Sequence, residues 1–279
     1  MSAPGVGWHL VVPVRGGPLS KSRLQVPRAT RVSLAEAFAR DTVAALAAGA
    51  PGGVVLVVTG DAAVRRWVQD AGQHCVEDPG EGLDSAVVAG AAAARTGRVA
   101  VMLADHPALR PEEVRIALAA AELLGPTVIA DADHDGTALL TLPGGPGART
   151  AFGPGSAAAH ERLGHQRLHL DLPGLLRDVD DAASLATAVR LGVGPHTAQA
   201  LTRATLPGMQ ATIHSMAEDG SGSALLDDGV EVALPAESAV SAGLRHLRVG
   251  QRVSIELDEE GQRAVRVWIV GIGPGESIA

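Results

Sequence analysis

The chain has 279 residues, enough for one large domain and a second, small one. Hydrophobic residues make up 46% of it and charged residues 19%, which excludes a disordered or fibrous protein. The net charge of −8 argues against a general binder of nucleic acids or anionic membranes, and a single cysteine, Cys75, excludes an internal disulfide. No apolar run reaches the length of about 18 residues that a membrane span requires. The composition therefore predicts a cytoplasmic globular protein with neither membrane nor nucleic-acid partners.

From residue 8 to residue 194, short apolar runs alternate with Ala-rich stretches of helical spacing. The apolar runs predict strands at Trp8–Val14, Val54–Thr59, His74–Val76, Val99–Leu103, Thr127–Ala130 and Thr137–Leu142. The helical patterns predict helices at Leu34–Leu46, Ala62–Ala71, Leu83–Ala94, Pro111–Leu123, Ala157–Leu163 and Asp181–Leu191. Ser33 and Glu36 form a capping-box pattern before the first helix. This alternation predicts an α/β fold with a doubly wound, mostly parallel sheet.

The sequence changes character after residue 194. Gly-Pro and Pro-Gly pairs bracket residues 194–208, where we place the domain boundary, with domains at residues 1–204 and 209–279. Short alternating runs then predict strands at Gln210–His214, Gly222–Leu226, Val230–Leu234, Arg252–Leu257 and Ala264–Val270. Asp228-Gly229 and Glu260-Gly261 are hairpin signals. The second domain is therefore predicted to be a small all-β barrel of the OB kind.

The loop after the first predicted strand is unusually basic for an acidic protein. It contains Arg15, Lys21 and Arg23, and the chain has no acidic residue before Glu36. Lys21 is also the only lysine among the 23 basic residues, and a compact ammonium suits a crowded phosphate site better than a guanidinium. These residues indicate an anionic ligand. The alternative is a basic loop that pairs with acids elsewhere on the surface.

Aspartates stand at the end of another predicted strand and at the start of a predicted helix. Asp105 comes directly after a buried strand, and Asp178, Asp180 and Asp181 precede the last predicted helix of the large domain. In a doubly wound sheet, ligands bind beyond the carboxyl ends of the strands. The alternative is that these acids only cap strands and helices. Together with the basic loop, they favour a Mg²⁺-dependent nucleotidyl transfer.

Residues 152–160, FGPGSAAAH, place glycines and Ser156 directly before a predicted helix. Backbone N–H groups and a hydroxyl in this arrangement can bind an anion, although a Gly-Pro turn with Ser156 as a helix cap is an equally good interpretation. The chain has no metal-spaced histidine pair, no Walker A motif and no G-x-G-x-x-G motif. We therefore predict no zinc site.

Four segments, in this order, resemble the guanylyltransferases of coenzyme F-420 biosynthesis: WHLVVPVRGGPLSKSRL, LADHPAL, FGPGSAAAH and LLRDVDDAASL. Enzymes of that family join GTP to 2-phospho-L-lactate or phosphoenolpyruvate. They are similar in fold to the molybdenum-cofactor guanylyltransferases, so the resemblance implies a nucleotide-diphospho-sugar-transferase-like fold. It covers roughly residues 8–200 and leaves the predicted barrel outside.

The resemblance implies a set of site residues. Mg²⁺ would be held by Asp105 and Asp178, with Asp180 as the substitute if the loop has a different register. The phosphorylated three-carbon acid would be received by Lys21, Thr137, Gly153 and Ser156, and we add Arg15 and Arg23 from the basic loop as substrate-binding residues. Lys21, Asp105 and Asp178 are the expected catalytic residues.

Three positions depart from the pattern of the family. His106 stands where Leu is usual, Asp84 where Asn is usual, and Asp181-Ala182 where Thr-Pro is usual. Asp84 would lower the affinity for a nucleotide if its carboxylate pointed toward the triphosphate. A catalytically inactive relative is therefore one alternative, and a nucleotidyltransferase for another molecule, such as the molybdenum cofactor, is a second.

The predicted barrel weakly resembles a cold-shock domain. Such domains bind single strands through exposed aromatic residues on a basic surface. Residues 209–270 contain one aromatic residue, Trp268, and ten acids against five arginines. We therefore predict a scaffolding or dimerisation role, with a possible homodimer, rather than nucleic-acid binding.

Overall fold

The structure is a computed structural model that describes residues 7–15, 24, 26, 28–94, 97–205, 209–227, 229–240, 247–258 and 261–269. The chain divides into two compact units, residues 1–201 and residues 202–279. Lys21, Arg23, Asp228 and Glu260, which the sequence analysis singled out, lie outside the described residues.

The first unit contains a seven-stranded sheet. Its strands are β1 (Trp8–Pro13), β2 (Val54–Thr59), β3 (His74–Glu77), β4 (Arg98–Val101), β5 (Thr127–Ala130), β6 (Thr137–Pro143) and β7 (Gln166–Arg167). Its helices are α1 (Arg28–Gly49), α2 (Ala62–Asp70), α3 (Leu83–Ala93), α4 (Pro111–Leu124), α5 (Ser156–Arg162), α6 (Pro173–Leu176) and α7 (Ala182–Leu191). Helix α8 (Pro195–Thr205) begins in the first unit and ends in the second.

The strands lie in the order β3-β2-β1-β4-β6-β5-β7. Strand β6 is antiparallel to both of its neighbours, and the other pairings are parallel. The predicted mostly parallel, doubly wound sheet is therefore confirmed. Because six strands run the same way, their carboxyl ends meet at one edge, where ligands bind in such sheets.

The sheet is buried on both faces, which explains its near-continuous Val and Leu runs. One cluster contains Leu10, Val12 and Leu46 on the side of α1, and the other contains Val11, Val58 and Val87 on the side of α3. Gly90 of α3 is needed for close packing, because a Cβ atom there would lie 2.4 Å from Cγ1 of Val11. Helix and sheet are thus packed without room for a side chain at that position.

The predicted start of the first helix is wrong, and one helix was not predicted. Helix α1 begins at Arg28, so Ser33 lies inside it and the capping box of Ser33 and Glu36 does not form. The Ala and Arg residues before Ser33 are good helix formers, and an interior serine costs too little to stop the helix. The second error concerns residues 195–205, which the sequence analysis left without secondary structure and which form α8.

A buried carboxylate explains helix α8. Asp41 of α1 accepts hydrogen bonds from the N–H groups of His196 (3.1 Å) and Thr197 (2.8 Å). It therefore satisfies N–H groups in the first turn of α8 that have no partner within the helix. Gly194 makes this approach possible, since a Cβ atom there would lie 2.4 Å from Cγ of Asp41. Such a long-range cap leaves no local signal in the sequence.

The second unit contains a five-stranded antiparallel sheet. Its strands are β8 (Met209–Met216), β9 (Gly222–Leu226), β10 (Glu231–Leu234), β11 (Arg252–Leu257) and β12 (Ala264–Ile269), with the short helix α9 (Ala236–Val240) after β10. The order is β10-β9-β8-β11-β12, and a parallel bridge between Ala233 and Arg263 joins the two edges. This arrangement agrees with the predicted all-β fold of the OB kind.

Among the described residues, no helix combines the length and the apolar composition that a membrane span requires.

Candidate active site

The carboxyl edge of the large sheet carries several of the predicted site residues that the structure describes. Arg15 follows the end of β1, and Asp105 follows the end of β4. Strand β6 runs in the opposite direction, with Leu140 paired to Val101, so its first residue, Thr137, lies at this same edge. Residues from well-separated parts of the sequence thus converge on one side of the sheet.

Three carboxylates meet at this edge. One oxygen from each of Asp105, Asp178 and Asp180 lies within 4.8 Å of the other two. Asp105 and Asp178 are half-buried, and Asp180 is exposed. The sequence analysis treated Asp178 and Asp180 as alternatives, whereas the structure brings both of them to Asp105.

A backbone hydrogen bond explains this convergence. Val179 is fully buried, and its N–H donates to the carbonyl of Asp105 across 2.9 Å. The bond holds the segment between α6 and α7 against the loop after β4. The carboxylates on either side of Val179 consequently reach the same position beside Asp105.

Asp181 has a different role from its neighbours. Its carboxylate accepts a hydrogen bond from the N–H of Ser184 (2.8 Å), and the hydroxyl of Ser184 lies 3.0 Å from the N–H of Asp181. Asp181 is therefore the N-cap of α7, as the alternative interpretation of these acids predicted. The unusual Asp181-Ala182 pair begins a helix and does not alter the carboxylate cluster.

The cluster fits a divalent cation. Carboxylate oxygens this close repel one another, and the repulsion strengthens as burial lowers the local dielectric. A hard cation such as Mg²⁺ relieves the repulsion and prefers carboxylate oxygen as its protein ligand. Asp105, Asp178 and Asp180 are thus the described residues best suited to hold a metal.

A second group of polar residues lies at the start of β6. The hydroxyl of Thr137 is 2.9 Å from the hydroxyl of Ser156 and 3.0 Å from Nδ1 of His160. Nε2 of His160 accepts a hydrogen bond from the N–H of Ala151 (3.0 Å). All three side chains are buried, and desolvation by burial lowers the pKa of His160 to about 4. The ring is therefore neutral at physiological pH.

Two loops support this group. Asp131 accepts hydrogen bonds from the N–H groups of Asp135 and Gly136 at the turn before β6. Asp135 in turn accepts a hydrogen bond from the N–H of Gly155 (2.9 Å), which links the turn to the FGPGS segment. Gly153 and Gly155 have φ values of 138° and 70°, a backbone conformation that side chains disfavour. Glycine is therefore required at these two positions to let the backbone adopt this conformation.

Asp84 is a further contact of the same segment. Its Oδ1 atom accepts hydrogen bonds from the hydroxyl of Thr150 (2.6 Å) and the N–H of Phe152 (3.0 Å). Both contacts use one oxygen as a hydrogen-bond acceptor, and the amide oxygen of Asn can accept in the same way. The replacement of Asn by Asp thus preserves these contacts. It gives no reason to regard the protein as inactive.

His106 is buried beside α1. Its backbone N–H donates to the hydroxyl of Thr42 (3.2 Å), and its Nε2 atom lies 3.6 Å from Oδ1 of Asp105. The third departure from the family pattern therefore lies next to the carboxylate cluster. Arg15, the one member of the basic substrate-binding set that the structure describes, is exposed.

A cavity of about 210 Å³ lies away from these residues. Its lining includes Trp8 at the start of β1, Arg98 at the start of β4 and Pro143 at the end of β6. These positions mark the opposite edge of the sheet. Neither the carboxylates nor the hydroxyl pair reach it, so the chemistry is expected at the carboxyl edge.

The sequence analysis missed the contribution of His160. The available signal was its spacing, because Ser156 and His160 are four residues apart and therefore share one face of a helix. The contact of Asp84 with residues 150–152 joins positions more than sixty residues apart. A contact between residues so far apart cannot be predicted from a single sequence.

Comparison with known proteins agrees with this geometry. The model of the MobA-like NTP transferase domain matches residues 22–229. The chain is 47% identical over 197 residues to the phosphoenolpyruvate guanylyltransferase of Salinispora arenicola, a match that covers 68% of this chain and 92% of that protein. It is 45% identical over 214 residues to the phosphoenolpyruvate guanylyltransferase of Streptomyces scabiei, covering 72% and 99% respectively.

A solved structure supports the fold. A protein from Desulfovibrio desulfuricans G20 assigned to the nucleotide-diphospho-sugar transferases superimposes with a TM-score of 0.53 at 18% identity, covering 70% of this chain and 94% of that one. The fold is thus of the nucleotide-diphospho-sugar-transferase-like class, and the family model and the relatives identify the chain as a nucleotidyltransferase. Within that class, the chain belongs to the MobA-like NTP transferase family. In that family it is related to the phosphoenolpyruvate guanylyltransferases.

The two contacts of Asp84 can be tested with two substitutions. Asp84→Asn keeps an acceptor oxygen for Thr150 and Phe152, so we expect a free energy of unfolding within about 0.5 kcal/mol of wild type. Asp84→Ala leaves both donors without their partner, and we expect a loss of about 1–3 kcal/mol. Urea denaturation measures both. Equal losses for the two variants would contradict the acceptor role of Asp84.

Proposed function

We propose that this protein transfers GMP from GTP to phosphoenolpyruvate, with Mg²⁺ as cofactor and release of pyrophosphate, as a cytoplasmic step of coenzyme F-420 biosynthesis. The observation that carries the proposal is the carboxylate cluster of Asp105, Asp178 and Asp180 at the carboxyl edge of the sheet. The names of the relatives support phosphoenolpyruvate over 2-phospho-L-lactate as the acid.

The proposed reaction does not require a general base. A phosphate oxygen of phosphoenolpyruvate attacks the α-phosphorus of GTP, a new P–O bond forms, and the bond to the β-phosphate breaks as pyrophosphate leaves. The second pKa of a phosphate monoester is about 6, so the attacking oxygen is already ionised at neutral pH. The protein therefore has to position two anions in line and neutralise their charge.

The carboxylate cluster would serve the nucleotide. Asp105, Asp178 and Asp180 would hold Mg²⁺, which, when bound, neutralises charge on the triphosphate and on the departing pyrophosphate. The buried Val179 and its bond to the carbonyl of Asp105 keep these ligands together before any substrate binds. This preorganisation spares the protein a rearrangement during the reaction.

The basic loop and the hydroxyl pair would serve the acid. Arg15, Lys21 and Arg23 supply positive charge for its phosphate. Thr137, Ser156 and the N–H group of Gly153 would supply hydrogen-bond donors for its oxygens. The buried hydrogen bonds of Thr137 and Ser156 support this assignment, because they fix both hydroxyls in place.

Pyrophosphate release provides the direct test of this function. We expect the purified protein to release pyrophosphate from GTP when phosphoenolpyruvate and Mg²⁺ are both present, and to lose this activity when EDTA is added. Parallel reactions contain 2-phospho-L-lactate in place of phosphoenolpyruvate, or ATP in place of GTP. Absence of release with phosphoenolpyruvate would contradict the proposal, and preferential release with 2-phospho-L-lactate would correct its substrate.

An isosteric Asp→Asn series tests the cluster. Each substitution removes one charge and keeps the shape of the side chain. We expect Asp105→Asn to lower kcat by on the order of 10²–10³, by analogy with other preorganised charge-stabilising groups. Asp178→Asn should raise the Mg²⁺ concentration required for activity more than Asp180→Asn, because the exposed Asp180 is better screened by water.

Asp181→Asn is the matched control. It removes the same charge one residue from Asp180, and the amide oxygen of Asn can still accept from the N–H of Ser184. We expect near wild-type kinetics and an unchanged Mg²⁺ requirement. If Asp181→Asn is as damaging as Asp105→Asn, or if Asp105→Asn keeps more than about a tenth of the wild-type kcat, the assigned metal site is wrong.

A further inference from the structure

His160 lies between a backbone donor and a pair of hydroxyls. Its Nε2 atom is 3.0 Å from the backbone nitrogen of Ala151, and its Nδ1 atom is 3.0 Å from the hydroxyl oxygen of Thr137. That oxygen is 2.9 Å from the hydroxyl oxygen of Ser156. The four groups form a continuous buried chain of hydrogen bonds.

The backbone of Ala151 determines the tautomer of His160. A peptide N–H can only donate, so Nε2 has to accept and cannot itself carry a hydrogen. In the neutral ring the hydrogen is then on Nδ1, which donates to the hydroxyl oxygen of Thr137. This assignment follows from the hydrogen-bond partners, which is the basis for assigning histidine tautomers where hydrogens are not seen.

The tautomer sets how many hydrogens the hydroxyl pair can offer to a ligand. With hydrogen on Nδ1, His160, Thr137 and Ser156 bring one hydrogen each, and the two contacts between them use two. One hydroxyl hydrogen remains. With hydrogen on Nε2, Thr137 would have to donate to His160 and Ser156 to Thr137, so both hydroxyl hydrogens would be used. Only the Nδ1–H tautomer leaves the pair able to donate.

We propose that His160 is a positioning residue that, by donating from Nδ1 to Thr137, holds the hydroxyl of Thr137 in place and leaves the Thr137–Ser156 pair able to donate to the anionic oxygens of the phosphorylated acid. The inference rests on the proposed function, because it assigns the pair to that acid. His160 does not itself contact the substrate in this proposal. It determines the direction in which the hydroxyls that contact the substrate donate their hydrogens.

The surroundings of His160 keep the ring neutral. It is fully buried, with the ring of Phe152 at 4.9 Å and the ring of His165 at 5.8 Å between centroids. Desolvation lowers the pKa of His160 first, and His165 lowers it further, whereas Asp84 raises it. Protonation of Nε2 would also set two donors against each other at Ala151. The neutral ring, with its hydrogen on Nδ1, is therefore the form expected throughout the neutral pH range.

The tautomer can be measured on the wild-type protein. A long-range ¹H–¹⁵N spectrum of the histidine rings distinguishes hydrogen on Nδ1 from hydrogen on Nε2, with His160→Gln used to assign the signals. We expect the Nδ1–H form of His160 and no protonation of the ring until the pH approaches about 4. A neutral ring with its hydrogen on Nε2 would overturn the inference.

Two substitutions test the consequence for binding. His160→Asn can place an amide nitrogen near the position of Nδ1 and donate to Thr137. His160→Gln places its amide near Nε2, where it can accept from Ala151. The hydroxyl pair then still has a spare hydrogen, but Thr137 loses the donor that holds its hydroxyl in place. We expect His160→Gln to raise the KM for phosphoenolpyruvate about tenfold and the KM for GTP less than about threefold. His160→Asn should remain within about threefold of wild type for both.

His165→Gln is the matched control. It changes the neighbouring ring of the same cluster, whose Nδ1 atom lies 3.1 Å from the carbonyl of Thr141 and has no contact with the hydroxyl pair. We expect both KM values to remain within about threefold of wild type. Equal effects of His160→Gln and His160→Asn, or an equal rise of both KM values, would overturn the positioning role.

The inference and the proposed function fail in different ways. A wild-type protein that releases pyrophosphate with phosphoenolpyruvate but has hydrogen on Nε2 of His160 would overturn the inference alone. A wild-type protein that is inactive with phosphoenolpyruvate but has hydrogen on Nδ1 would overturn the proposed function alone.

Discussion

The convergence of Asp105, Asp178 and Asp180 is the constraint on which the rest of the site depends. Three carboxylates within 4.8 Å repel one another, so the fold has to hold them together. It does so with the buried Val179 and the bond from its N–H to the carbonyl of Asp105. The parallel sheet supplies the place, because its carboxyl ends meet at one edge. The burial of Val179 thus offsets the repulsion among the three carboxylates.

The second group of polar residues at this edge is uncharged. Thr137, Ser156 and His160 are buried, neutral and connected by hydrogen bonds, and the turn at Asp131 and the carboxylate of Asp84 hold the loops around them. Three carboxylates and a buried pair of hydroxyls therefore lie at the same edge of one sheet. This pairing suits a reaction between two phosphorylated molecules, in which position and charge matter more than acid–base chemistry.

Much of the fold was predictable because its signals are local. Runs such as Val54–Thr59 are buried on both faces and appear as unbroken β-branched sequence, so that strand is predicted to the residue. Helix α8 was missed because its cap is Asp41, more than 150 residues away. In the site, strand ends and the family resemblance indicated Asp105, Asp178 and Thr137, but His160 and the contacts of Asp84 depend on tertiary geometry. The sequence also could not show that Asp178 and Asp180 both reach Asp105, because this depends on the burial of Val179 between them.

A crystal grown with Mn²⁺ and a non-hydrolysable GTP analogue tests the central claim most directly, because the anomalous signal of Mn²⁺ locates the cation without reference to activity. The account predicts a peak coordinated by the carboxylates of Asp105, Asp178 and Asp180, with Asp181 still bound to the N–H of Ser184. A cation bound by other residues, or a nucleotide bound with no cation at these three carboxylates, would contradict it.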